Sequence, residues 1–310
     1  MDPLSDVLAL LDVKGALSVR LEAGGHWAMD FTGYRHLKFG AVLSGDCWIT
    51  VDGVEEPVHL DAGDCYLLAN GLPYRVGSDL ETEPVDGSLV FAAAGGAPIV
   101  RYGDADPMTV VIGVSITLDE LNAGLLLDSL PPLIIIRASS DPAHVLRSAL
   151  QLLAHETAES RPGAALMTGH LAHIVFLQAL RAHLASPGGD APPYGGWLGA
   201  LADPQIGAAL GLMHDDVTRR WTVRDLATAV NMSRSSFAER FKALVGVAPV
   251  DYLLKRRMQT AGQALRNGDR TVSAIAADWG YDSESAFSNA FKRVMGRAPS
   301  HYRRAEALAR

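Results

Sequence analysis

One segment of the chain occurs twice, at residues 221–252 and 271–302, and this repeat constrains the fold more than any other feature. The second copy has one extra residue in its turn, after which the same residue types align. Six positions of the first copy match six of the second: Phe237, Phe241, Lys242, Gly246, Pro249 and Tyr252 align with Phe287, Phe291, Lys292, Gly296, Pro299 and Tyr302. Such regularity indicates one supersecondary unit that is used twice.

Each copy predicts two short helices joined by a tight turn. In the first copy Thr222 is placed to cap a helix, with Asp225 at the spacing of a capping box. The apolar residues that follow recur at helical spacing. Ser233 then caps a second helix, which ends at Gly246 and the proline beyond it. Two helices that share an apolar core across a tight turn form a helix-turn-helix.

Charge is distributed unevenly along the chain. The formal net charge is -8 overall, yet residues 218–310 hold 17 Lys and Arg against 8 Asp and Glu, a net charge of +9. Residues 1–217 therefore have a net charge of -17. Because phosphate attracts a basic module and repels an acidic one, the C-terminal third is predicted to bind nucleic acid while the remainder stays away from it.

The second helix of each unit has a polar side opposite its phenylalanines. Residues there are expected to contact base edges in a major groove, namely Arg234, Ser235, Ala238, Glu239, Glu284, Ser285, Ser288 and Asn289. Basic residues around the units suit phosphate contacts, namely Lys242, Lys255, Arg256, Arg257, Lys292, Arg293 and Arg297. A solenoid scaffold is the alternative, but it needs roughly three or more repeats and gives no reason for the basic charge.

The region before the repeat has two further patterns. Residues 16–115 contain short apolar runs separated by turns such as Asp52-Gly53 and Asn70-Gly71, which is typical of a β-sandwich or barrel. Residues 141–186 predict two amphipathic helices, and residues 188–194 have the composition of a linker. The predicted domains are a β-rich domain at 1–140, a helical segment at 141–187, a linker at 188–203 and the tandem helix-turn-helix at 204–310.

The repeat resembles the C-terminal domain of AraC/XylS transcription regulators. The first copy has the pattern S-x-x-x-F-x-x-x-F-K-x-x-x-G-x-x-P-x-x-Y, and the second has F-x-x-x-F-K-R-x-x-G-x-x-P-x-x-Y-R, within residues 221–303. The resemblance implies that a long helix, here from residue 250 to about 266, joins two units that contact adjacent major-groove segments. One protomer would then recognise an asymmetric site of about two helical turns.

Two positions depart from the family pattern. Glu239 and Asn289 stand where the family commonly has arginine, which weakens the usual recognition of guanine. Glu239 is suited instead to accept from a cytosine amino group, and Asn289 to pair with adenine. Glu239 could equally be a surface ion-pair partner of Lys242 three residues later.

The N-terminal region resembles the cupin-type regulatory domains of a subset of this family, over about residues 4–135. When Gly45 is aligned with the last glycine of the first cupin motif, Lys38 occupies the position of the acidic metal ligand. Tyr66 occupies the histidine position of the second motif, whereas Gly63 and Asn70 are retained. Three histidines and a carboxylate cannot be assembled from these residues, so the Lewis-acid chemistry of cupin enzymes is not expected.

The resemblance then implies a binding pocket inside the barrel. Its expected lining residues, beside Trp27, are His26, Tyr34, His36, Lys38, Trp48, Tyr66 and Asn70, although each aromatic residue could equally be part of the core. Cys47 and Cys65 lie on predicted strands beside aromatic residues. Some relatives sense oxidants through cysteines in this domain, so a redox switch at these two residues is an alternative.

These patterns predict an α+β multidomain protein with an N-terminal cupin-like β-barrel (jelly roll), a helical pair and an all-α tandem helix-turn-helix. The expected function is sequence-specific transcription regulation, as an activator, under a small-molecule effector in the barrel. The expected partners are promoter DNA, RNA polymerase and a second copy bound through residues 141–187. No enzymatic activity, cofactor, metal or membrane contact is expected, and the cytoplasm is the expected location. The remote alternative is a metal-dependent cupin enzyme fused to a DNA-binding domain.

Overall fold

The structure is a computed structural model that describes residues 3–10, 13–34, 37–103, 105–106, 108–118, 124, 126–158, 161–185, 196–267 and 270–307. The chain forms two compact units. The barrel unit consists of Asp12–Asp119 and Leu130–Asp190, and the C-terminal unit consists of Met1–Leu11, Glu120–Ser129 and Ala191–Arg310. The first eleven residues and residues 120–129 thus group with the C-terminal unit, whereas the sequence patterns placed them with the β-rich domain.

Two antiparallel-rich sheets form the barrel unit. Its strands are β1 (Val13–Ala23), β2 (Ala28–Phe31), β3 (Leu37–Ser44), β4 (Asp46–Val51), β5 (Val58–Asp61), β6 (Cys65–Leu68), β7 (Tyr74–Gly77), β8 (Val85–Asp86), β9 (Ile99–Tyr102), β10 (Thr109–Leu118) and β11 (Leu133–Ile136). One sheet has the order β11-β6-β3-β10-β1-β9, and the other has the order β5-β4-β7-β2-β8. A short helix, α2 (Gly87–Ala93), begins at the Asp86 cap.

The strand register determines which side chains point between the sheets. In the six-stranded sheet, Lys38 pairs with Ser115 and with Leu68, and Ser115 pairs with Leu17. The next inward row contains Tyr66, Gly40, Gly113 and Val19. Because side chains alternate between the faces of a strand, these rows point to the same side of the sheet. A core cluster joins this face to buried residues of the other sheet, including Met29, Cys47, Ile49 and Val76.

Two helices cover the outer face of the six-stranded sheet. They are α3 (Asp141–Ala158) and α4 (Ala164–Ala185), which pack on each other and on β1. Helix α3 buries Leu146, Leu150 and Leu153 at helical spacing, and the Phe176 ring of α4 lies 6.4 Å from the ring of Phe39. The helical segment predicted at 141–187 is therefore part of the barrel unit.

Where the structure describes it, the regular structure of the C-terminal unit is helical. Its helices are α1 (Pro3–Leu10), α5 (Gly196–Ala202), α6 (Pro204–Asp215), α7 (Val223–Ala229), α8 (Arg234–Val245), α9 (Pro249–Asn267), α10 (Val272–Asp278), α11 (Glu284–Met295) and α12 (Pro299–Ala307). Helix α5 lies within residues 188–203, which were predicted to be a linker, and it buries Trp197 and Leu198. Among the described helices none has the length and hydropathy that a membrane crossing requires.

Candidate nucleic-acid interface and barrel cavity

Each repeat copy folds as a helix-turn-helix, with α7 and α8 in the first and α10 and α11 in the second. Thr222 and Asp225 form the predicted capping box, in which each side chain accepts from the backbone N–H of the other. In the second copy Thr271 caps α10 by accepting from the Ala274 N–H at 3.1 Å. Serines cap both second helices, Ser233 for α8 and Ser283 for α11. The local signals thus placed the helix starts correctly.

The turns of the two units have the same backbone geometry. Asn231 has a φ of 55° and Gly280 has a φ of 71°, and both lie in the left-handed region. The next residue closes each turn, since Met232 N–H donates to Ala227 at 2.8 Å and Tyr281 N–H donates to Ala276 at 2.9 Å. The extra residue of the second copy lies after this closure, so it does not alter the turn.

Paired phenylalanines fix the second helix of each unit on its core. Phe237 and Phe241 are fully buried with ring centroids 5.6 Å apart, and Phe287 and Phe291 repeat this arrangement at 5.6 Å. Tyr252 and Tyr302 complete the two clusters with edge-on contacts to the second phenylalanine. With the phenylalanines buried, the opposite side of each helix faces outward.

Most of the residues predicted to contact bases lie on that outward side. Six are exposed, namely Arg234, Ser235, Glu239, Glu284, Ser285 and Asn289, and Ala238 and Ser288 are half-buried at equivalent positions. Glu239 and Lys242 are both exposed, so the two interpretations of Glu239, a base contact and a surface ion-pair partner, both remain predictions. The base-contacting roles themselves remain predictions.

The residues predicted to contact phosphate divide into two groups. Lys242, Lys292, Arg293 and Arg297 are exposed, as phosphate contact requires. Residues 255–257 were grouped with them, but three consecutive residues of a helix point in directions about 100° apart and cannot all face one ligand. Lys255 is half-buried, and burial lowers its pKa.

The prediction that Arg256 and Arg257 contact phosphate does not fit their positions in the structure. Arg256 is only 7% exposed, and its guanidinium lies 3.8 Å from the carboxylate of Asp6. Arg257 is half-buried and donates to the carbonyl oxygens of Trp279 and Thr218. Both side chains are therefore directed into the C-terminal unit and are poorly placed to contact phosphate.

A buried polar network that the sequence did not predict surrounds the first unit. The Tyr252 hydroxyl accepts from the indole N–H of Trp197 at 2.8 Å and lies 2.7 Å from His214 Nε2. His214 Nδ1 in turn lies 3.2 Å from the Asp6 carboxylate. These partners come from α1, α5 and α6, so no local pattern within the repeat could have indicated them. The network ties both flanking segments to the start of α9.

The second site is a cavity of about 570 Å³ between the two sheets of the barrel unit. Its volume lies within the range of about 300 to 1,000 Å³ that is typical of small-molecule sites. Aromatic and aliphatic side chains form most of its wall, including those of Leu17, Val19, Leu21, Trp27, Phe31, Tyr66, Tyr74, Val76, Phe91, Val100 and Val111. Gly113 keeps the centre of β10 open, because a Cβ there would meet its nearest atom only at 3.7 Å.

Among the described residues that line the cavity, Lys38 has the only charged side chain. Its Nζ donates to the Tyr74 hydroxyl at 2.8 Å and lies 4.7 Å from the centroid of the Phe31 ring. Burial lowers the pKa of Lys38 to about 8. Two of the motif positions from which metal ligands are missing, those of Lys38 and Tyr66, face this cavity, so an ammonium group and a phenol stand where the resemblance placed metal ligands.

Only some of the residues that were predicted to line the cavity do so. Lys38 and Tyr66 line the cavity, and Tyr34 packs beside it with its ring edge-on to Tyr74. His26, Trp48 and Asn70 do not line it; their contacts lie elsewhere, namely Asp79 for His26, His59 for Trp48 and the Leu130 carbonyl for Asn70. His36 lies outside the described residues.

The alternation of side chains along a strand explains why Trp48 was wrongly predicted to line the cavity and why Phe31 and Tyr74 were missed. Trp48 lies between Cys47 and Ile49, which point inward, so its own ring is on the outer face. Phe31 and Tyr74 pair across β2 and β7, and their rings stack at 4.7 Å. Their alternation with Asp30 and Arg75 was the available sequence signal for an inward position.

The two cysteines face different directions. Cys47 lines the cavity from the five-stranded sheet, whereas Cys65 pairs with Ala41 and so lies on the outer side of the six-stranded sheet. Burial raises the pKa of each thiol to about 12, which keeps both protonated. Because the thiolate is the form that reacts with oxidants, this geometry disfavours the redox alternative.

A catalytic metal site would need several ligands close together. The described residues contain no group of three or more His, Cys, Asp and Glu side chains that could hold a metal ion. Such a group is the ordinary basis of cupin catalysis by Lewis-acid metals.

The chain combines a two-sheet barrel with a tandem helix-turn-helix, the architecture of a DNA-binding regulator with a second, β-rich domain. Comparisons with known proteins agree: a cupin family model matches residues 2–185, and a helix-turn-helix domain model matches residues 226–305. An AraC-like transcription regulator of Streptomyces lividans is 43% identical over 98% of both chains. One of Streptomyces antibioticus is 42% identical over 98% of this chain and 99% of its own. AlkR of Acinetobacter baylyi is 31% identical over 98% of this chain and 99% of its own.

The chain therefore belongs to the AraC-like family of helix-turn-helix transcription regulators. It is a DNA-binding transcription regulator, as the repeat and the basic charge of its C-terminal third predicted.

Proposed function

We propose that a small molecule bound in the barrel cavity controls the binding of this regulator to promoter DNA. The observation that carries the proposal is the cavity itself: about 570 Å³ of space remains between two sheets whose other inward residues are closely packed. Protein interiors rarely leave voids larger than a water molecule, so an opening of this size needs a reason. A ligand that fills it in one conformation better than in another would shift the regulator between states.

The effector site is tested by filling the cavity from Gly113. Gly113→Leu places a side chain where the backbone leaves room, and Gly113 has no positive φ that would oppose it. The matched control is Thr117→Leu, which adds a leucine at an exposed position of the same strand. Native mass spectrometry of protein purified from its own host should show a retained small molecule in the wild type and in Thr117→Leu, but none in Gly113→Leu.

DNA binding provides the second measurement. Both variants should select the same duplexes from a random library as the wild type does, because the helix-turn-helix units are unchanged. A reporter placed under the selected sequence should respond to the host's conditions with the wild type and not with Gly113→Leu. Unchanged ligand retention and unchanged response in Gly113→Leu would remove the cavity from the mechanism.

The proposed assembly is a homodimer formed through α3 and α4. Large apolar side chains on these helices are exposed, with Val145 and Leu152 one heptad apart on α3 and Met167 and Ile174 one heptad apart on α4. Adjacent exposed apolar stripes of this kind mark interaction surfaces. Ile174→Glu should convert the dimer to a monomer in light scattering, whereas Gln151→Glu, on the exposed surface of α3, should not.

The regulator is proposed to act in the cytoplasm as an activator. Activation is the commoner outcome in the family that this chain resembles, and it involves contact with RNA polymerase at the promoter. The exposed residues of α8 and α11 are proposed to contact bases, and Lys242, Lys292, Arg293 and Arg297 are proposed to contact phosphates. Transcription in vitro from the selected duplex, with and without the regulator, measures directly whether the regulator activates or represses.

A further inference from the structure

The chemistry of the cavity wall restricts what the cavity can hold, provided that the proposed effector site is correct. The wall is apolar apart from a few hydroxyl and thiol groups and the ammonium of Lys38. A polyhydroxylated ligand such as a sugar would leave most of its hydroxyl groups without partners there, and each buried polar group without a partner is costly. The body of the ligand is therefore apolar.

The Lys38 ammonium has room for an acidic partner. Its Nζ lies 4.7, 5.0 and 4.8 Å from the ring centroids of Phe31, Tyr34 and Tyr74, and these rings favour a cation. An ammonium has three donors, and one of them is used by the Tyr74 hydroxyl. Within the described part of the chain, no Asp or Glu carboxylate lies within ion-pair distance of Lys38.

Neighbouring groups do not neutralise this charge. Among the described residues, the titratable side chains around it are Tyr34, Tyr66, Tyr74 and Cys47, and burial raises the pKa of each, so all four are neutral at pH 7. Lys38 is half-buried, and a cation that is partly withdrawn from water is less favourable without a counter-ion than when it pairs with a hydrogen-bonded carboxylate. Among the described residues, the cavity therefore presents a cation, the Lys38 ammonium, without an anionic partner.

We propose that the cavity binds an apolar molecule with a single carboxylate, which accepts a hydrogen bond from Lys38 Nζ while the apolar body lies against Trp27, Val19 and the open surface of Gly113. A cationic ligand would be repelled by Lys38. A ligand with two or more negative charges would bring charge that this wall cannot match.

Calorimetry on the full-length chain tests the proposal with two matched pairs of probes: 2-naphthoate with 2-naphthamide, and decanoate with decanamide. At pH 7 the better-fitting acid should bind about ten to one hundred times more tightly than its amide, because a charge-assisted hydrogen bond replaces a neutral one. Lys38→Met should reduce this ratio to about one or below.

Arg75→Met is the matched control for loss of a cation. Arg75 is the next residue after Tyr74, but its guanidinium pairs with Asp30 at 2.7 Å and it does not line the cavity. This variant should keep the preference for the acid. Circular dichroism and thermal melting verify that both variants fold; Lys38→Met should melt no lower than the wild type, because it removes a half-buried charge that lacks a carboxylate partner among the described residues.

The affinity for the acid should also depend on pH. The pKa of Lys38 in the free protein is about 8, so acid binding requires an added proton above that pH. The affinity of the wild type should fall about tenfold per pH unit well above pH 8, until the raised pKa of the complex is reached. Lys38→Met should show no such fall between pH 7 and pH 10.

Two outcomes separate this inference from the proposed effector site. Equal binding of acid and amide, with both abolished by Gly113→Leu, would overturn the carboxylate and leave the effector cavity in place. Failure of all four probes to bind, or binding that Gly113→Leu leaves unchanged, would overturn both.

Discussion

The two helix-turn-helix units have the same core but different supports. Both have two buried phenylalanines at the same spacing and a tyrosine from the following helix. In the first unit that tyrosine, Tyr252, is bonded to Trp197 and His214, which lie outside the repeat. The second unit instead packs on the other half of α9, through Met258, Ala261 and Leu265.

This difference shows that the repeat encodes the shape of each unit but not its attachment. Helix α9 begins in the polar network of the first unit and ends in the apolar core of the second, so it fixes one unit relative to the other. The separation and angle of two DNA-contacting helices determine which half-sites they can bind together. We therefore expect the supports outside the repeat to influence which DNA sequences the regulator binds.

The largest expected effect is common to both units. Phe237→Ala and Phe287→Ala each remove a fully buried ring and should each destabilise its unit by about 3 to 5 kcal/mol. Hydrogen exchange of the slowest amides in α8 and in α11 measures the two losses separately. A loss in one unit several times that in the other would show that the cores are not equivalent.

A smaller effect should be confined to the first unit. Tyr252→Phe leaves the buried indole N–H of Trp197 without its acceptor and should cost about 1 to 3 kcal/mol. Tyr281→Phe, which removes a half-buried hydroxyl from the second unit, should change stability by less than about 0.5 kcal/mol. Amide exchange at the start of α9 reports the difference, and equal losses in the two variants would deny the network any special role.

The sequence predicted the repeat well because its signals are local. Capping residues, the spacing of phenylalanines and the terminal glycines each act within a few residues, and Gly246 and Gly296 indeed end α8 and α11 in the left-handed conformation. The burial of Trp197 depends on a tyrosine 55 residues later. Composition alone therefore placed this tryptophan in a linker.

The cavity was harder to predict because its lining depends on which side of the sheet each side chain of a strand points to. Cupin resemblance gave Lys38 and Tyr66 correctly, since motif positions preserve which side of a strand a residue occupies. His26 was chosen for its residue type, although it lies between strands with its side chain 88% exposed. The importance of Gly113 follows only from its pairing with Gly40 and Val19 on neighbouring strands.

The outward sides of α8 and α11 should differ in base preference. Asn289→Ala and Glu239→Ala should each relax preference at one base pair, at different positions of the site, with a loss of about 1 to 3 kcal/mol on the specific duplex. Lys292→Ala should weaken binding to all duplexes alike and reduce the salt slope by about one. Competition binding with single-base variants of the selected site measures the base preference of each variant. An equal loss of affinity for specific and random duplexes in Asn289→Ala would mean that α11 is oriented differently on the DNA.

The smallest expected effect distinguishes the two turns. Gly280 and Asn231 both have a positive φ, at 71° and 55°, and asparagine tolerates the left-handed region better than other residues with a Cβ. Gly280→Asn should therefore cost less than about 0.5 kcal/mol, whereas Gly280→Val should cost about 1 to 2 kcal/mol. The atom nearest to a Cβ at residue 280 is Arg220 Nε at 3.3 Å, and this long side chain needs to shift by only a few tenths of an ångström, so we expect backbone conformation and not space to decide the difference. Amide exchange in α10 measures both variants, and an equal cost for Asn and Val would mean that crowding, not backbone conformation, selects glycine in this turn.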